Sequence, residues 1–347
     1  MKIAQITSVY LSVPPRSHGG TELVVYHLTE GLAARGHSVE LFASGDSRVS
    51  CPVNSVVPVA TSYDPGTTSY IDKEMETRNT FNLYRQAHRF DIIHGHWPCL
   101  AAYFSSYTRT PTVLTYAYIE KHLHDYYCGH FPNVNPVCVS HAQARALGDG
   151  GMHVVYNGVD VEGLPFNPSP EDFLVIVGRI VPNKGIAEAI KLARAAGERL
   201  VIVGHVPPQI PWSVDYYEKQ VRPFIDGDQI KHIPELPNAE VAKLVSRAKA
   251  FLFPLQWDEP FGLAVVEAMA AGTPVITYPR GSMPELVRDG ETGFLVDNDN
   301  AALDAIKRVH QIDRVACRSW VAGKFTIDNM VSGYERVYND VLEKANG

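Results

Sequence analysis

Cysteine is scarce in this sequence of 347 residues, and the five that occur are scattered without a C-x-x-C pair. A small, odd number of this kind is typical of a reduced compartment and disfavours a disulfide framework. Long apolar runs are absent too. None approaches the ~20 residues that cross a membrane, and the start of the chain lacks the apolar core of a signal peptide. Together these absences predict a cytoplasmic protein.

Basic residues are in the minority. The 31 lysines and arginines are outnumbered by 38 aspartates and glutamates, which gives a net charge of −7. This balance disfavours a general nucleic-acid-binding protein, because such proteins carry a basic surface. A local basic pocket for a phosphate ligand and a peripheral contact with a membrane both stay open.

What the sequence does contain is a globular composition and a repeated alternation of strands and helices. Apolar residues make up 45% and charged residues 20%, and the length suits two domains of ordinary size. Short apolar runs such as Lys2–Thr7 and Phe173–Val177 predict buried strands, and each precedes a segment with helical periodicity. This alternation predicts an α/β protein with two doubly wound parallel sheets, which bind ligands beyond the carboxyl ends of their strands.

Proline marks the boundary between the two predicted domains. Three prolines fall within residues 165–170, and such a stretch is typical of a linker. We therefore predict one domain at 1–165 and another at 166–326. The remaining residues, 327–347, carry apolar side chains at helical spacing and predict a long amphipathic C-terminal helix.

The most informative segment places two carboxylates, Glu259 and Glu267, eight residues apart in an apolar, alanine-rich stretch. Gly262 marks the expected start of a helix, whose free N–H groups and positive dipole end could hold a phosphate. If the helix covered both glutamates, they would lie about 12 Å apart along it and about 80° apart around its axis. Both would then look into one cleft. Two glutamates at this spacing are also common on a solvated helix face.

A second candidate lies in Gly178–Gly185, directly after the predicted strand Phe173–Val177. Arg179 and Lys184 stand five residues apart on this strand-to-helix loop and could converge on a diphosphate. Gly185 admits a close approach of backbone. Two solvated surface cations are the alternative interpretation.

The third candidate, Gly19-Gly20-Thr21-Glu22, follows the first predicted strand and opens a helix. Glycine at this point lets backbone amides approach an anionic ligand. The dinucleotide fingerprint G-x-G-x-x-G is absent, and a plain tight turn is the alternative.

These pieces together resemble the family 4 retaining glycosyltransferases of the GT-B fold, also described as glycosyltransferase group 1. The segments that carry the resemblance occur in the family's order and spread over most of the chain. They are Gly19–Glu22, Asn157–Asp160, Gly178–Gly185, Glu259–Ile276 and Asp289–Phe294. The resemblance implies two Rossmann-like domains facing across a cleft. Residues 1–165 would bind the acceptor, 166–326 would bind a nucleotide-sugar, and the helix at 327–347 would cross back to the first domain.

The resemblance also implies roles for individual residues. Arg179 and Lys184 would bind the donor diphosphate and stabilise charge on the leaving group, while Glu259 would contact hydroxyls of the transferred sugar. The other donor-binding residues would be Gly19, Gly20, Phe261, Gly262, Leu263 and Glu267, the last of which would accept hydrogen bonds from the ribose. A UDP- or GDP-sugar donor is implied, with no metal or other cofactor, because arginine and lysine supply the electrostatic stabilisation.

One position departs from the family's pattern. Members commonly carry a histidine in a Thr-x-His pattern after the strand represented here by Pro111–Thr115, and this chain has Ala117 there. The enzyme manages without that contact, a nearby histidine replaces it, or the residue was deliberately changed. The surrounding rings predict a sugar-facing loop, with an ordinary amphipathic surface segment as the alternative. The acceptor-side candidates are His96, Tyr116, Tyr118, His122 and His124.

Two patterns formally match metal sites, and we interpret neither as one. His94-Gly95-His96 ends a predicted strand, and the sequence identifies no matching carboxylate or cysteine cluster. This favours acceptor-side lining or a structural role over metal. Asp297-Asn298-Asp299 has the D-x-D pattern of a different glycosyltransferase fold, but it lies in a polar turn after a predicted strand.

The predicted function is the metal-independent transfer of a sugar from a nucleotide-sugar to an acceptor hydroxyl, with retention at the anomeric carbon. Ala117 keeps a second hypothesis open, a catalytically silent or deliberately inactivated sugar-nucleotide-binding protein. A phosphorylase-like enzyme on the same fold, using a pyridoxal cofactor, is disfavoured by the short chain and the lack of an identifiable cofactor-lysine motif. The sequence identifies neither the sugar, the base, the acceptor nor the oligomeric state.

Overall fold

Two compact units make up the structure, a computed structural model that describes residues 1–148, 151–207 and 210–346. The first unit comprises residues 1–158 together with 327–347, and the second comprises 159–326. The division falls seven residues before the boundary predicted at 165, since 165 − 158 = 7.

Two arginines explain why the proline-rich segment belongs to the second unit. Both lie on the helix Arg314–Lys324. Arg314 Nε donates to the carbonyl of Asn167 at 2.7 Å, and Arg318 Nη1 donates to the carbonyl of Leu164 at 3.1 Å. The segment predicted to be a linker is therefore fixed against a helix of the second unit.

The first unit is built on one parallel sheet. Its strands are β1 (Lys2–Ile6), β2 (Ser38–Phe42), β3 (Val53–Asn54), β4 (Ile92–Gly95), β5 (Thr112–Tyr116), β6 (Val134–Cys138) and β7 (His153–Val154). They lie in the order β3-β2-β1-β4-β5-β6-β7. The order reverses between β1 and β4, which makes the loops after these two strands the topological switch point of the sheet.

Helices link the strands of the first unit. They are α1 (Gly20–Ala34), α2 (Ser69–Tyr84), α3 (Pro98–Phe104), α4 (Lys121–His130) and α5 (His141–Leu147). Strands β4 and β5 are buried along their whole length. Such strands are expected where helices cover both faces of a parallel sheet.

The second unit repeats this architecture. Its strands are β8 (Leu174–Val177), β9 (Leu200–Val203), β10 (Ile230–Ile233), β11 (Ala250–Phe253), β12 (Val275–Thr277) and β13 (Gly293–Leu295). All neighbours are parallel, in the order β10-β9-β8-β11-β12-β13. The switch point therefore lies between β8 and β11.

The helices of the second unit follow the same alternation. They are α6 (Ile186–Ala196), α7 (Pro211–Tyr216), α8 (Asn238–Arg247), α9 (Leu263–Ala270), α10 (Met283–Leu286), α11 (Asp299–Arg308) and α12 (Arg314–Lys324). The last helix, α13 (Ile327–Asn346), returns to the first unit. None of the helices that the structure describes is long and apolar enough to span a membrane.

A buried polar network joins α13 to the first sheet. Tyr338 OH lies 3.1 Å from Gln5 Nε2, which donates to it, and 2.7 Å from His94 Nδ1. His94 Nε2 lies 2.7 Å from Thr115 Oγ1, which is itself 2.8 Å from Tyr334 OH. These five side chains are buried. Because buried polar groups are costly unless paired, the network fixes α13 on the ends of β1, β4 and β5.

Candidate functional site

The polar residues of the second unit gather at its topological switch point. The loop after β8 carries Arg179 and Lys184, and the loop after β11 carries Trp257 and Glu259. In open parallel sheets, ligands bind beyond the carboxyl ends of the strands at such a reversal of strand order. The topology therefore brings together two of the three segments that the sequence singled out.

The loop after β8 is held tightly against the loop after β11. Gln256 N donates to the carbonyl of Asn183 at 3.0 Å. Gly185 has a φ of 73°, and a Cβ at this position would lie 2.0 Å from the carbonyl oxygen of Pro254. Only glycine fits there. The close backbone approach predicted for a ligand at Gly185 is thus made by the neighbouring loop.

The loop after β11 is fixed from its other side by the turn that precedes α10. Ser282 N donates to the carbonyl of Glu259 at 3.0 Å, and Gly281 N donates to Asp258 Oδ1 at 2.9 Å. Gly281 has a φ of 56°, and a Cβ there would lie 2.3 Å from the Glu259 carbonyl oxygen. The backbone around Glu259 is therefore rigid, and its carboxylate has a defined direction.

Lys184 and Glu259 form an ion pair at the centre of the site. Lys184 Nζ donates to Glu259 Oε2 at 2.5 Å, and Trp257 Nε1 donates to the same oxygen at 2.7 Å. The Lys184 and Glu259 side chains are only 14% and 12% exposed. Nζ also lies 5.2 Å from the Trp257 ring centroid and 5.7 Å from that of Phe253, within the range of cation–π attraction. The cation predicted for the diphosphate is thus paired with the carboxylate predicted for the sugar.

Arg179 is placed differently. Its side chain is exposed, and it makes no ion pair or hydrogen bond with any residue in the described part of the chain. The guanidinium is therefore available to a ligand without breaking a protein contact, and its role with the diphosphate stays a prediction.

Helix α9 presents an open N-terminus beside this cluster. Gly262, with a φ of 99°, is its N-cap and supplies no side-chain cap. The amides of Gly262, Leu263 and Ala264 donate to no acceptor among the described residues. By contrast, Ser140 caps α5 and Asn298 caps α11 through their side chains. An uncapped helix start of this kind is suited to bind an anion.

Glu267 lies four residues after Leu263, so both residues share one face of α9. Its carboxylate has no hydrogen-bond or ion-pair partner in the part of the chain that the structure describes, and burial raises its pKa to about 7. The helix begins only at Leu263, so Glu259 lies in the preceding loop. The predicted helical separation of the two glutamates was therefore wrong, and what relates them is the loop geometry.

Gly19 and Gly20 open α1 in the first unit. Gly19 has a φ of 135°, and a Cβ there would lie 2.8 Å from Glu22 Oε2 and 2.9 Å from Leu11 Cδ1. No side chain caps this helix, and the amides of Gly20 and Thr21 donate to no described acceptor. The turn requires glycine and the helix has no side-chain cap, and the role of these glycines with an anionic ligand stays a prediction.

Three acceptor-side candidates are corrected by the structure. Tyr116 is fully buried in the hydrophobic core, and His124 packs edge-on against its ring with a centroid separation of 5.7 Å. His96 is also buried, and its Nε2 lies 2.6 Å from Gln5 Oε1. Burial lowers the pKa of His96 to about 3, so the ring is neutral. These side chains serve packing and hydrogen bonding within the first unit.

The other two acceptor-side candidates and the departing position are exposed. Ala117 and Tyr118 directly follow β5, and His122 lies in the first turn of α4 with its Nδ1 3.2 Å from Glu120 Oε2. The predicted sugar-facing loop is therefore mostly the helix α4, which buries one face and exposes the other. Because residue 117 is alanine, no imidazole occupies the position directly after β5.

The two formal metal patterns have ordinary partners. Both nitrogens of His94 are used by the buried network that holds α13. Asn298 caps α11, while Asp299 accepts from Lys191 Nζ at 2.6 Å and from Tyr278 OH at 2.8 Å. Among the described residues, no group of three or more His, Cys, Asp or Glu has a metal-binding arrangement.

Trp257 is the residue of the site that sequence reasoning missed. Its indole N–H fixes Glu259 and its ring adjoins Lys184. The only signal available was its position two residues before Glu259, on a loop expected at a strand end. A tryptophan on a loop is too common to single out without the contacts that the fold creates.

An open groove of about 820 Å³ adjoins this loop on the side of β12 and β13. It is lined by Glu188, Gln256, Tyr278, Pro279, Arg280 and residues 297–300. Carboxylates and amides outnumber its single arginine, so it suits an anionic ligand poorly. The features of the unit whose chemistry suits an anion are the uncapped start of α9 and the cations after β8.

Two family profiles match consecutive parts of the chain. Glycosyltransferase Family 4 matches residues 18–162, and Glycosyl transferases group 1 matches residues 165–314. The two matches are 145 and 150 residues long, and together they cover 295 of the 347 residues. The first match includes Gly19 and Ala117, and the second includes Lys184, Glu259 and Glu267.

Similarity to curated proteins covers nearly the whole chain in one case and about half of it in another. A phosphatidyl-myo-inositol mannosyltransferase of Mycobacterium leprae is 26% identical over 98% of this chain and 97% of its own. An alpha-maltose-1-phosphate synthase of Mycolicibacterium smegmatis is 32% identical, but over 46% of each protein.

Solved structures share the fold. A glycosyltransferase involved in avilamycin A biosynthesis has a TM-score of 0.73 at 23% identity, covering 99% of this chain and 98% of that one. Anabaena HepE, solved in complex with UDP and glucose, has a TM-score of 0.75 at 19% identity over 98% and 99%. The two Rossmann-like units are thus those of the GT-B fold, and the chain belongs to the family 4 glycosyltransferases of group 1.

Proposed function

We propose that this protein transfers a sugar from a nucleotide-sugar donor to an acceptor hydroxyl, with retention of configuration and without a metal ion. The second unit would bind the donor and the first unit the acceptor. The observation that carries the proposal is the uncapped start of α9, set between the Lys184–Glu259 cluster and the carboxylate of Glu267, which has no partner among the described residues.

Each of these features fits one part of a nucleotide-sugar. The amides of Gly262 and Leu263, with the positive end of the α9 dipole, suit a phosphate oxygen. Glu267 lies on the same face of that helix and has free acceptor capacity for ribose hydroxyls. Glu259 has one carboxylate oxygen, Oε1, with no described partner, and this oxygen suits a sugar hydroxyl.

The proposed reaction breaks the bond between the anomeric carbon and the diphosphate oxygen. A bond from the acceptor hydroxyl oxygen forms on the same face of the sugar, and the hydroxyl proton passes to the departing diphosphate. Lys184 and Arg179 would stabilise the negative charge that develops on the leaving group, which is commonly the largest electrostatic contribution to such a reaction. Among the described residues of the site, no side chain stands out as a nucleophile for double displacement.

The donor is proposed to be a UDP- or GDP-sugar carrying a hexose. Solved structures of the same fold hold UDP and UDP-glucose, and a full-length relative is a mannosyltransferase. Metal independence is proposed because Arg179 and Lys184, both on the loop after β8, would supply positive charge to the diphosphate, and transfer that persists in excess EDTA would support it. The cytoplasmic location, the absence of nucleic-acid binding and a peripheral membrane contact stay predictions.

A panel of nucleotide-sugars tests the proposal by thermal stability, followed by transfer assays with the donor that stabilises most. A donor at 100 times its dissociation constant should stabilise the fold by about 2.7 kcal/mol. The anomeric configuration of the product, measured by NMR, should match that of the donor. Inversion, or failure of every nucleotide-sugar to stabilise the protein, would contradict the proposal.

The second candidate is a catalytically silent sugar-nucleotide-binding protein. The observation that favours it is Ala117, exposed directly after β5 where family members carry histidine. Donor binding by calorimetry without donor hydrolysis or transfer to any tested acceptor would select this alternative.

A further inference from the structure

The Lys184–Glu259 pair joins two groups that the proposed function assigns to different parts of the donor. Lys184 is assigned to the diphosphate and Glu259 to the sugar, yet Lys184 Nζ and Glu259 Oε2 lie 2.5 Å apart and both side chains are largely shielded from water. Removing one partner from such a pair leaves a poorly solvated charge behind. A ligand that recruits Lys184 alone therefore leaves Glu259 without its cation.

An intact donor and a spent donor differ in this respect. A nucleotide-sugar brings phosphate oxygens to Lys184 and sugar hydroxyls to Glu259, so both partners are compensated. A nucleoside diphosphate brings only the phosphates, and its extra negative charge adds to that of the uncompensated carboxylate. The pair thus opposes the second ligand more strongly than the first.

We propose, on the basis of the proposed function, that the Lys184–Glu259 pair is a specificity device that favours the intact nucleotide-sugar over the nucleoside diphosphate left after transfer. Glu259 acts by competing for Lys184 whenever no sugar hydroxyl occupies it. Specificity then rests partly on an unfavourable contact with the unwanted ligand. The same contact speeds release of the spent nucleotide.

Trp257 is the positioning residue of this device. Its N–H donates to Glu259 Oε2, the oxygen that also accepts from Lys184, and so holds the carboxylate in the pairing geometry. Its ring also limits where the ammonium can move. Replacing the indole by a phenyl ring keeps an aromatic wall but removes the N–H donor, which loosens Glu259.

The test measures dissociation constants of three ligands by calorimetry: UDP, UDP-glucose and inorganic pyrophosphate. Pyrophosphate needs no base recognition, and GDP with GDP-mannose replaces the uracil pair if the guanine nucleotides bind better. The variants are Glu259→Gln, which keeps shape and hydrogen bonding, and Trp257→Phe. Glu171→Gln is the matched control, because it removes one negative charge from an exposed ion pair with Arg247 before the start of β8.

Glu259→Gln should bind UDP and pyrophosphate about fivefold more tightly, the scale of one ion pair that keeps some solvent contact. Its affinity for UDP-glucose should stay the same or fall, so that the preference for the intact donor shrinks. Trp257→Phe should reduce the preference for UDP-glucose over UDP by about twofold, which is a fraction of the ion-pair effect. Glu171→Gln should leave every constant near the wild-type value.

Unchanged or weaker binding of UDP and pyrophosphate by folded Glu259→Gln would overturn the inference, since Glu259 would then be only a sugar contact. An equal change for all three ligands would overturn it as well. Failure of the proposed function gives a different result, in which wild-type protein binds neither nucleotides nor nucleotide-sugars. Pyrophosphate binding would still report on the competition at Lys184 in that case.

Discussion

The two sheets end in loops of the same topology but use their polar residues in opposite ways. At the switch point of the first sheet, the polar side chains form hydrogen bonds with each other and with α13, as Gln5, His94 and Thr115 do. At the switch point of the second, neither Glu267 nor the Oε1 atom of Glu259 has a hydrogen-bond partner among the residues that the structure describes. Polar residues at strand ends therefore indicate a ligand site only where their donors and acceptors are not already paired within the protein.

The difference follows from what covers each edge. In the first unit, a long C-terminal helix brings Tyr334 and Tyr338 onto the strand ends, and the hydroxyls satisfy the buried groups beneath. In the second unit, the residues at the corresponding edge are closed off mainly by their own loops. In the proposed function, a ligand would complete the hydrogen bonding that a helix completes in the first unit.

Removing the ammonium group of Lys184 tests this difference between the two units most directly. We expect Lys184→Ala to lower kcat by about 100-fold or more, the scale of one aimed charge donor. Lys191→Ala is the control, because this lysine lies on the helix that follows the loop, α6, in an exposed pair with Asp299. Steady-state transfer rates decide, and a near-normal rate for the Lys184 variant would exclude a catalytic role.

Breaking the buried polar network of the first unit should lower the stability of the protein rather than its transfer rate. Tyr338→Phe removes the hydroxyl that meets Gln5 and His94, leaving buried polar groups unpaired. We expect a loss of about 2 kcal/mol in the free energy of unfolding, the scale of an unsatisfied buried group. Tyr126→Phe on the exposed side of α4 should change little. Denaturant titration measures both, and equal stability of the two variants would contradict a structural role for the network.

A pH titration of binding should sharpen the role of Glu267. Burial raises its pKa to about 7. Ribose hydroxyls donate to the ionised carboxylate, so affinity should be full above pH 7 and fall as the pH drops through it. Between pH 8 and 6 the ionised fraction falls about tenfold, and affinity should follow.

Calorimetry with a nucleotide-sugar suits this measurement, because its diphosphate diester does not titrate in that range. Glu267→Gln should bind more weakly at pH 8 and show a flat profile. A wild-type affinity that is independent of pH from 8 to 6 would remove Glu267 from the ribose site.

The smallest expected effect concerns Ala117. The position is exposed, so Ala117→His should change the free energy of unfolding by less than about 0.5 kcal/mol. We expect the restored imidazole to raise the transfer rate. An unchanged rate with every active donor–acceptor pair would show that this position takes no part in catalysis here.

The sequence carried enough signal to predict the fold class and the helix start at Gly262. Strand–helix alternation and glycine before an alanine-rich run are local patterns, and local patterns survive without a structure. It failed on Tyr116 and His96, because both faces of a parallel strand are buried and no alternation separates a core ring from a ligand-facing one. The Lys184–Glu259 pair joins residues 75 apart in the chain, a contact that only the fold creates.

Helices α1 and α9 show where routine stabilisation of this protein would go wrong. A side-chain cap usually strengthens a helix, and a glycine before one looks like a defect to repair. Here a serine or aspartate at Gly19 or Gly262 would meet strained backbone, and a capping oxygen would occupy the amides that the proposed function assigns to a phosphate. Stability engineering should therefore keep these two glycines and add side-chain caps only to helices outside the proposed ligand site.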